Sequence, residues 1–477
     1  MYILTTMSWH FPRQLRTIVS NKRRLHGGQR ESGDDMCTNR RYLVYFAMFL
    51  MNAVNYVDRT NLSVAASSIA STFQLSPIQL GYMFSSFLWT YLFCLIPAGL
   101  VVDRFGARKV TALALIVWSV GGVLTGLASS FFLLLGSRLL LGIGEAASYP
   151  SGSRIIREWA PKTERGLAAA ILNAGSYAGP ALGGIFVGWL IAQVGWRGSF
   201  LVTGAVGICL GVFWWILYRT PAQAKWISAE ERVLINDSAT PAVATDSAAA
   251  KKRASGGLEK LLAEKTMWGL ALTQGCAGYT VYLFLTWLPT YFERARGMNV
   301  VKSSLYTAAP YASACVLGIM LGYLSDRLLT SEALARGARR NMIFVMLLLG
   351  SVVFALPFVD SMWAIVLIIS LALTCVSTAM SMNIALTNDL LGDPAHSGVA
   401  VGLLILGGNV FGLAAPIVTG YAVASSGGFT AAFAIAGALL LLGSLASLTL
   451  TRRQILVDWT EPIRGDQPMA SKPASQL

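Results

Sequence analysis

The chain alternates long apolar runs with short polar interruptions. The runs cover approximately residues 42–65, 80–101, 109–129, 131–153, 166–192, 198–218, 267–291, 303–325, 340–359, 361–385, 397–422 and 428–450. Each is close to the 20 or so residues that a helix needs to cross a hydrocarbon core. The order is six runs, a polar stretch, then six more. The pattern predicts an all-α polytopic membrane protein of twelve transmembrane helices in two pseudo-symmetric six-helix bundles. Five segments follow: a basic tail over 1–39, expected to be disordered; a first bundle over 40–218; a linker over 219–265; a second bundle over 266–452; and a tail over 453–477.

Composition supports lipid as the solvent. Hydrophobic residues make up 55% of the chain and charged residues 13%, against about 25% charge in a soluble domain. The net charge of +14 does not form a stripe for nucleic acid. It falls in loop clusters, which report topology. One set of loops carries Arg104, Arg108 and Lys109, then Arg154, Arg157, Lys162 and Arg165, then the linker, then Arg327, Arg336, Arg339 and Arg340. The opposite loops hold little beyond Arg197, Arg294, Arg296 and Lys302. The positive-inside rule therefore predicts cytoplasmic termini and linker, in a bacterial inner membrane. The loop near 386–396, with Asp389, Asp393 and His396, runs against this and is outvoted. The six cysteines show no metal or redox spacing, so neither metal nor cofactor is expected. The first 35 or so residues lack the apolar core of a cleavable signal, and Met36 is a natural alternative start.

The halves repeat. Gly99-x-x-x-Asp103-Arg104-Phe-Gly106-Ala-Arg108-Lys109 follows the second span, and Gly322-x-x-x-Asp326-Arg327 follows the eighth. Duplicated halves with a site between them are a transporter architecture. No nucleophile–base pair, cofactor loop or pore-lining ring points to an enzyme or a channel.

Charges inside spans carry the chemistry, since each costs about 2.5–3.5 kcal/mol at mid-helix. Four stand out: Asp58 and Arg59 in the first span, Arg138 and Glu145 in the fourth. Asn55 lies three and four residues before Asp58 and Arg59, placed to orient them. Arg138 and Glu145 share a face but lie about 10 Å apart along the axis, so each needs another partner. Opposed helices would gather two carboxylates and two guanidiniums around one cavity. A helix-joining ion network is the competing reading, although such networks contribute little net stability. Arginine cannot deprotonate and grips carboxylates with a planar fork, so Arg59 and Arg138 are the expected anion clamp. Carboxylates in a dry cavity can exchange protons near neutral pH, so Asp58 and Glu145 are the expected proton carriers.

The repeated Gly-x-x-x-Asp-Arg element resembles that of the major facilitator superfamily over about residues 40–455. Asp103, Arg104, Arg108, Asp326 and Arg327 are then gating residues whose ion pairs close one conformation and break in the other; the competing reading is a topology anchor. Asn55-Tyr56-x-Asp58-Arg59-x-Asn61, with Arg138-x-x-x-Gly142-x-x-Glu145 and Pro150, resembles the anion:cation symporter branch. Members carry sugar acids, phthalate, tartrate, glutamate or sialic acid. The resemblance implies proton sites at Asp58 and Glu145 and substrate contacts at Arg59, Tyr91 and Arg138. Ser176 stands where galactonate-type members have a glutamine ligand, and Ile405 where they have an asparagine; Asn409 resembles a position kept in glucarate-type members. Gln274 and Tyr282 on span seven, near Trp287-Leu-Pro289, and Asn383 and Asn409 on spans ten and eleven are further ligand candidates, or helix–helix contacts. The expected function is import of an organic carboxylate by proton symport, by a monomer. The Gly175–Gly184 string also resembles drug/proton antiporters, which keeps export of a small organic compound open.

Overall fold

Lipid offers the backbone no hydrogen-bond partners, so a spanning segment must satisfy its peptide groups internally. Every crossing in the computed structural model is accordingly helical; it describes residues 40–161, 163–237, 259–328, 331–392 and 397–455. The first span is Arg41–Val64, extended beyond Ala65 by Ala66–Phe73, and the next two are Pro77–Phe105 and Ala107–Gly126. The fourth is Phe131–Glu145 continued by Ser148–Trp159. The fifth and sixth form one 53-residue stretch, Arg165–Leu217. It passes through a π turn at Gly179–Gly183 and reverses at Gly195, where φ is 71° and ψ 171°. Lys265–Arg296, Val300–Leu328, Ala338–Gly350 with a 3-10 turn over Ser351–Phe358, Met362–Leu390, Ser397–Ser426 and Thr430–Leu450 complete twelve crossings among the described residues.

Local chemistry sets several ends. Ser76 accepts from the Gln79 amide while its own N–H donates to the Gln79 side chain, a capping box followed by Pro77 in the first turn. Gly106, at φ 84°, permits the tight turn between spans two and three.

Small residues let the helices of the first half approach closely. A Cβ on Gly142 would stand 2.1 Å from the Phe87 carbonyl oxygen and 2.4 Å from Thr90 Oγ1. Thr90 in turn donates to the Leu139 carbonyl at 2.7 Å, which ties span two to span four. Gly142→Ala must push the two backbones apart. It is expected to destabilise the protein by about 1–3 kcal/mol, read as a lower melting temperature; an unchanged melt would contradict the packing.

The apolar core is asymmetric from end to end. Away from the basic loops, one cluster joins both halves, with Leu62, Leu80 and Phe84 meeting Phe284, Trp287 and Phe429. Phe84 and Trp287 meet edge to face at 5.3 Å, and the Trp287 indole donates to the Pro416 carbonyl at 3.2 Å. Gly81 and Gly420 allow spans two and eleven to touch there: a Cβ on either would lie 2.6 Å from a carbonyl oxygen of the other helix. Toward the basic loops the core divides, with one cluster around Trp118 and Trp159 in the first half and another around Leu347 and Leu386 in the second. Among the described residues, the apolar cluster shared most fully by both halves thus lies at the end away from the basic loops.

The chain after span six folds back onto the first half. Trp226 stacks on Trp159 at 5.1 Å, and the helix Ala229–Asp237 presents Glu231 to Arg41. Glu231 Oε1 accepts from the Arg41 backbone N–H at 2.9 Å and lies 3.2 Å from its guanidinium. Arg41 also pairs with Glu164 at 2.7 Å. The expected basic tail over 1–39, linker residues 238–258 and tail residues 456–477 lie outside the described residues, as do Lys162, Asp393 and His396.

Hydrogen bonds from Arg41 hold the Glu164 carboxyl below the ordinary carboxylate range. A lowered folded-state pKa stabilises above the unfolded value, and the contribution fades as pH falls through the folded one. Glu164→Gln should therefore melt below the parent at neutral pH and match it in acid. A difference that persists at low pH would contradict the ion pair.

Candidate functional site

Asp58 and Arg59 are neighbours on one helix, so their side chains leave it in different directions. Arg59 reaches span four, where its Nη2 lies 2.7 Å and its Nε 2.9 Å from Glu145 Oε2. Glu145 is the last residue of the helix Phe131–Glu145 and is fully buried. Its Oε1 makes no hydrogen bond, although Asn55, one turn before Arg59, faces the carboxylate. Aromatic rings surround the guanidinium: its carbon lies 4.6 Å from the Tyr56 centroid, 4.8 Å from Phe87 and 5.7 Å from Tyr91. Such faces favour a cation and displace water from it.

Arg138 makes no ion pair within 4 Å among the described residues. Its Nη2 donates to Thr125 Oγ1 at 2.6 Å, its guanidinium lies over Phe200 at 5.3 Å, and its Nε is unpartnered. Both arginines line a small cavity whose other walls include Leu62, Phe84, Phe87 and Leu285. Asp58 is buried behind it, 2% exposed, with Trp118 and Thr203 facing it and neither oxygen hydrogen-bonded. Arg138 and Glu145 are the charges it senses most directly. The four buried charges thus form one group, with the arginines on the cavity wall, Glu145 gripping one of them and Asp58 in the interior of the first half.

The remaining candidates divide by environment. Asn383 donates to Gln274 Oε1 and to the Leu270 carbonyl, both at 3.0 Å, and both side chains are buried. That pair ties spans seven and ten together. Tyr282 donates to Asn409 Oδ1 at 3.2 Å, and both residues are half-buried, at mid-depth between the halves. Tyr282 lies within electrostatic range of Arg59. Ser176 is half-buried and donates to the Asn173 carbonyl at 2.6 Å, so its proton is engaged within its own helix.

At the basic end, Asp103 lies 3.7 Å from Arg157, both largely exposed, and Arg154 donates to the Val102 and Asp103 carbonyls. Arg104 covers Phe105, and Arg108 donates twice to the Trp215 carbonyl. These contacts join span two to span four, and span three to span six, within the first half. Arg339 pairs with Asp389 in the second. Span eight carries Asp326 and Arg327, whose side chains lie outside the described residues.

Twelve helices in two halves, with buried charges on the wall of a cavity between them, define a multi-pass membrane transport protein rather than an enzyme. Residues 48–390 match the family described as Major Facilitator Superfamily, and the chain belongs to it. It is 31% identical to the probable galactarate/D-glucarate transporter GudP of Escherichia coli K12, covering 88% of this chain and 96% of that one. It is 34% identical to the probable sulfoacetate transporter SauU of Cupriavidus necator, over 86% and 93%. It is 30% identical to a D-galactonate transporter of Escherichia coli O6:H1, over 86% and 95%. A crystal structure of a bacterial homologue of the lysosomal transporter Spinster shares the fold at TM-score 0.64 and 21% identity, over 86% and 94%.

The symporter motif contains Tyr56 without giving it a role, and no sequence feature singles out Phe87, Thr125, Trp118, Thr203 or Phe200. Tyr56 had a usable signal, standing three residues before Arg59 on the same helix face. The others are ordinary residues of apolar helices, and only the packing shows what they touch.

Proposed function

We propose that this protein is a secondary transporter that imports an organic carboxylate together with protons by alternating access, with its basic loops in the cytoplasm. The observation that carries the reading is the ion pair that Arg59, on the cavity wall, makes with the buried Glu145. A substrate carboxylate and Glu145 compete for one guanidinium. Protonation of Glu145 cancels its charge and frees Arg59 for the substrate. Loss of that proton on the alkaline side lets Glu145 reclaim Arg59 and expel the anion. Asp58, which senses Glu145 and Arg138, is the second proton carrier, and Arg138 adds the positive field that holds the anion. Tyr91, Asn55, Tyr282, Asn409 and Ser176 complete the substrate surface, while Gln274 and Asn383 brace it. Asp103, Arg104, Arg108, Asp326 and Arg327 gate the basic end. Relatives named for galactarate, glucarate, galactonate and sulfoacetate support an organic-acid substrate.

The test is uptake in proteoliposomes of labelled D-glucarate, sulfoacetate and benzoate under an inward proton gradient. At least one should accumulate, and a protonophore should abolish the accumulation. Concentrative uptake that ignores the protonophore would defeat the coupling.

A further inference from the structure

One residue of the first-span motif has no place in the substrate surface. Asn61 is fully buried, three residues after Asp58 on the same helix face. It meets span six. Its Nδ2 donates to Thr203 Oγ1 at 3.0 Å, and its Oδ1 accepts from Ser199 Oγ at 2.8 Å. Ser199 and Thr203 are one turn apart on that span, and both are buried. An amide donates and accepts on one planar group, so Asn61 serves the two hydroxyls at once and sets a direction along the row. Ser199 Oγ also stands 2.8 Å from the Trp196 carbonyl.

Thr203 Oγ1 takes a proton from Asn61, which leaves its own proton to give. Its bond to the Phe200 carbonyl, within its own helix, is long at 3.4 Å. The other group facing it is Asp58, neither of whose oxygens is hydrogen-bonded. A buried carboxylate without donors is costly, and a hydroxyl that turns about one bond is the shortest way to supply one. Spans three and six are packed too closely there for the helix to shift instead. A Cβ on Gly204 would lie 2.9 Å from the Ser119 carbonyl oxygen, and one on Gly207 2.1 Å from Ser119 Oγ. Trp118 is the second donor facing Asp58, but its Nε1 has no partner that would steer it. The charged groups that Asp58 senses, Arg138 and Glu145, both come from span four, and Arg59 on its own span is turned to Glu145. Spans three and six carry no charged side chain over 110–126 and 198–217.

We propose that Asn61 is a positioning residue for proton coupling: it acts on Asp58 through Thr203, holding the row Ser199–Asn61–Thr203 in the direction that offers a donor to the ionised carboxylate. This rests on the proton-carrier reading of Asp58 and deepens it. A hydrogen bond to an ionised acceptor is roughly twice as strong as one to a neutral group. The row therefore favours release of the proton and sets the pH at which Asp58 lets it go.

Infrared difference titration of the purified full chain reads Asp58 directly, as the carbonyl-stretch band of a protonated carboxyl that vanishes in Asp58→Asn. Thr203→Val keeps the shape and removes the hydroxyl. It should move the midpoint of that band to higher pH by on the order of one unit. Thr203→Ser keeps the hydroxyl and should stay near the parent. Asn61→Ala should move the midpoint the same way by less, and adding it to Thr203→Val should move it no further, because the two act as one unit. An unmoved midpoint in folded Thr203→Val, or shifts that add in the double variant, overturns the relay. Should Thr203→Val fail to fold, Asn61→Ala decides alone, and an unmoved midpoint overturns the relay there too. Uptake of labelled D-glucarate in proteoliposomes keeps the two readings apart. Protonophore-sensitive uptake beside unmoved midpoints strikes the relay and leaves the carrier reading standing. Expected shifts beside concentrative uptake that ignores a protonophore tie Asn61 to Asp58 and overturn the coupling itself.

Discussion

Arg59→Lys is expected to weaken carboxylate binding by roughly 10–100-fold while the protein stays folded, because the loss is one or two charge-assisted hydrogen bonds at about 1.5–3 kcal/mol. The charge is kept, so Glu145 is not left as a buried anion without a counterion; that would cost about 3–5 kcal/mol. The geometry is not kept. Arg59 presents its Nε and Nη2 edge to one oxygen of Glu145, and its flat face lies among Tyr56, Phe87 and Tyr91. An ammonium is a point charge with no planar face, so it loses both the fork and the stacking. Titration calorimetry checks the affinity, and a thermal melt of the same sample separates it from misfolding. Unchanged affinity with a normal melt would remove Arg59 from the substrate site.

Asp58→Asn combined with Glu145→Gln should abolish accumulation driven by a proton gradient, a loss of all concentrative uptake, while sparing exchange of substrate for substrate. With both carboxylates neutral, Arg59 is permanently available and nothing links the anion to a proton. Counterflow in proteoliposomes measures the exchange, and uptake against a pH gradient measures the coupling. Gradient-driven uptake that survives in the double variant would move the coupling to other groups. Removing two buried anions beside two buried guanidiniums leaves uncompensated charge, so a lower melting temperature is expected alongside the kinetic effect.

The spans were legible because hydropathy and length are properties of a segment. The apolar run over 361–385 became Met362–Leu390, and that over 303–325 became Val300–Leu328. Interruptions were less legible. The fourth run gave no sign that its helix breaks after Glu145, because Ala146 and Ala147 are as apolar as their neighbours. The identity of the buried charges was readable from their cost in lipid, but their partners were not. Arg59 and Glu145 stand 86 residues apart, and nothing in either segment says which carboxylate meets which guanidinium. Arg138 settles on Thr125, and threonine hydroxyls are common enough in membrane helices to carry no signal. Gln274 and Asn383 look like ligands in sequence because amides are rare in apolar runs, yet helix–helix bonding selects the same residues.

Under the proposed proton-coupled import, the four buried charges also set the electrical behaviour of the carrier. Two arginines against two ionised carboxylates sum to zero, so the empty protein can reorient without moving net charge through the membrane field. Whatever charge crosses belongs to the cargo. Two protons with a monoanion carry one positive charge inward, worth about 2.3 kcal/mol per 100 mV; two protons with a dianion carry none. The current that accompanies each molecule taken up therefore counts protons against substrate charge.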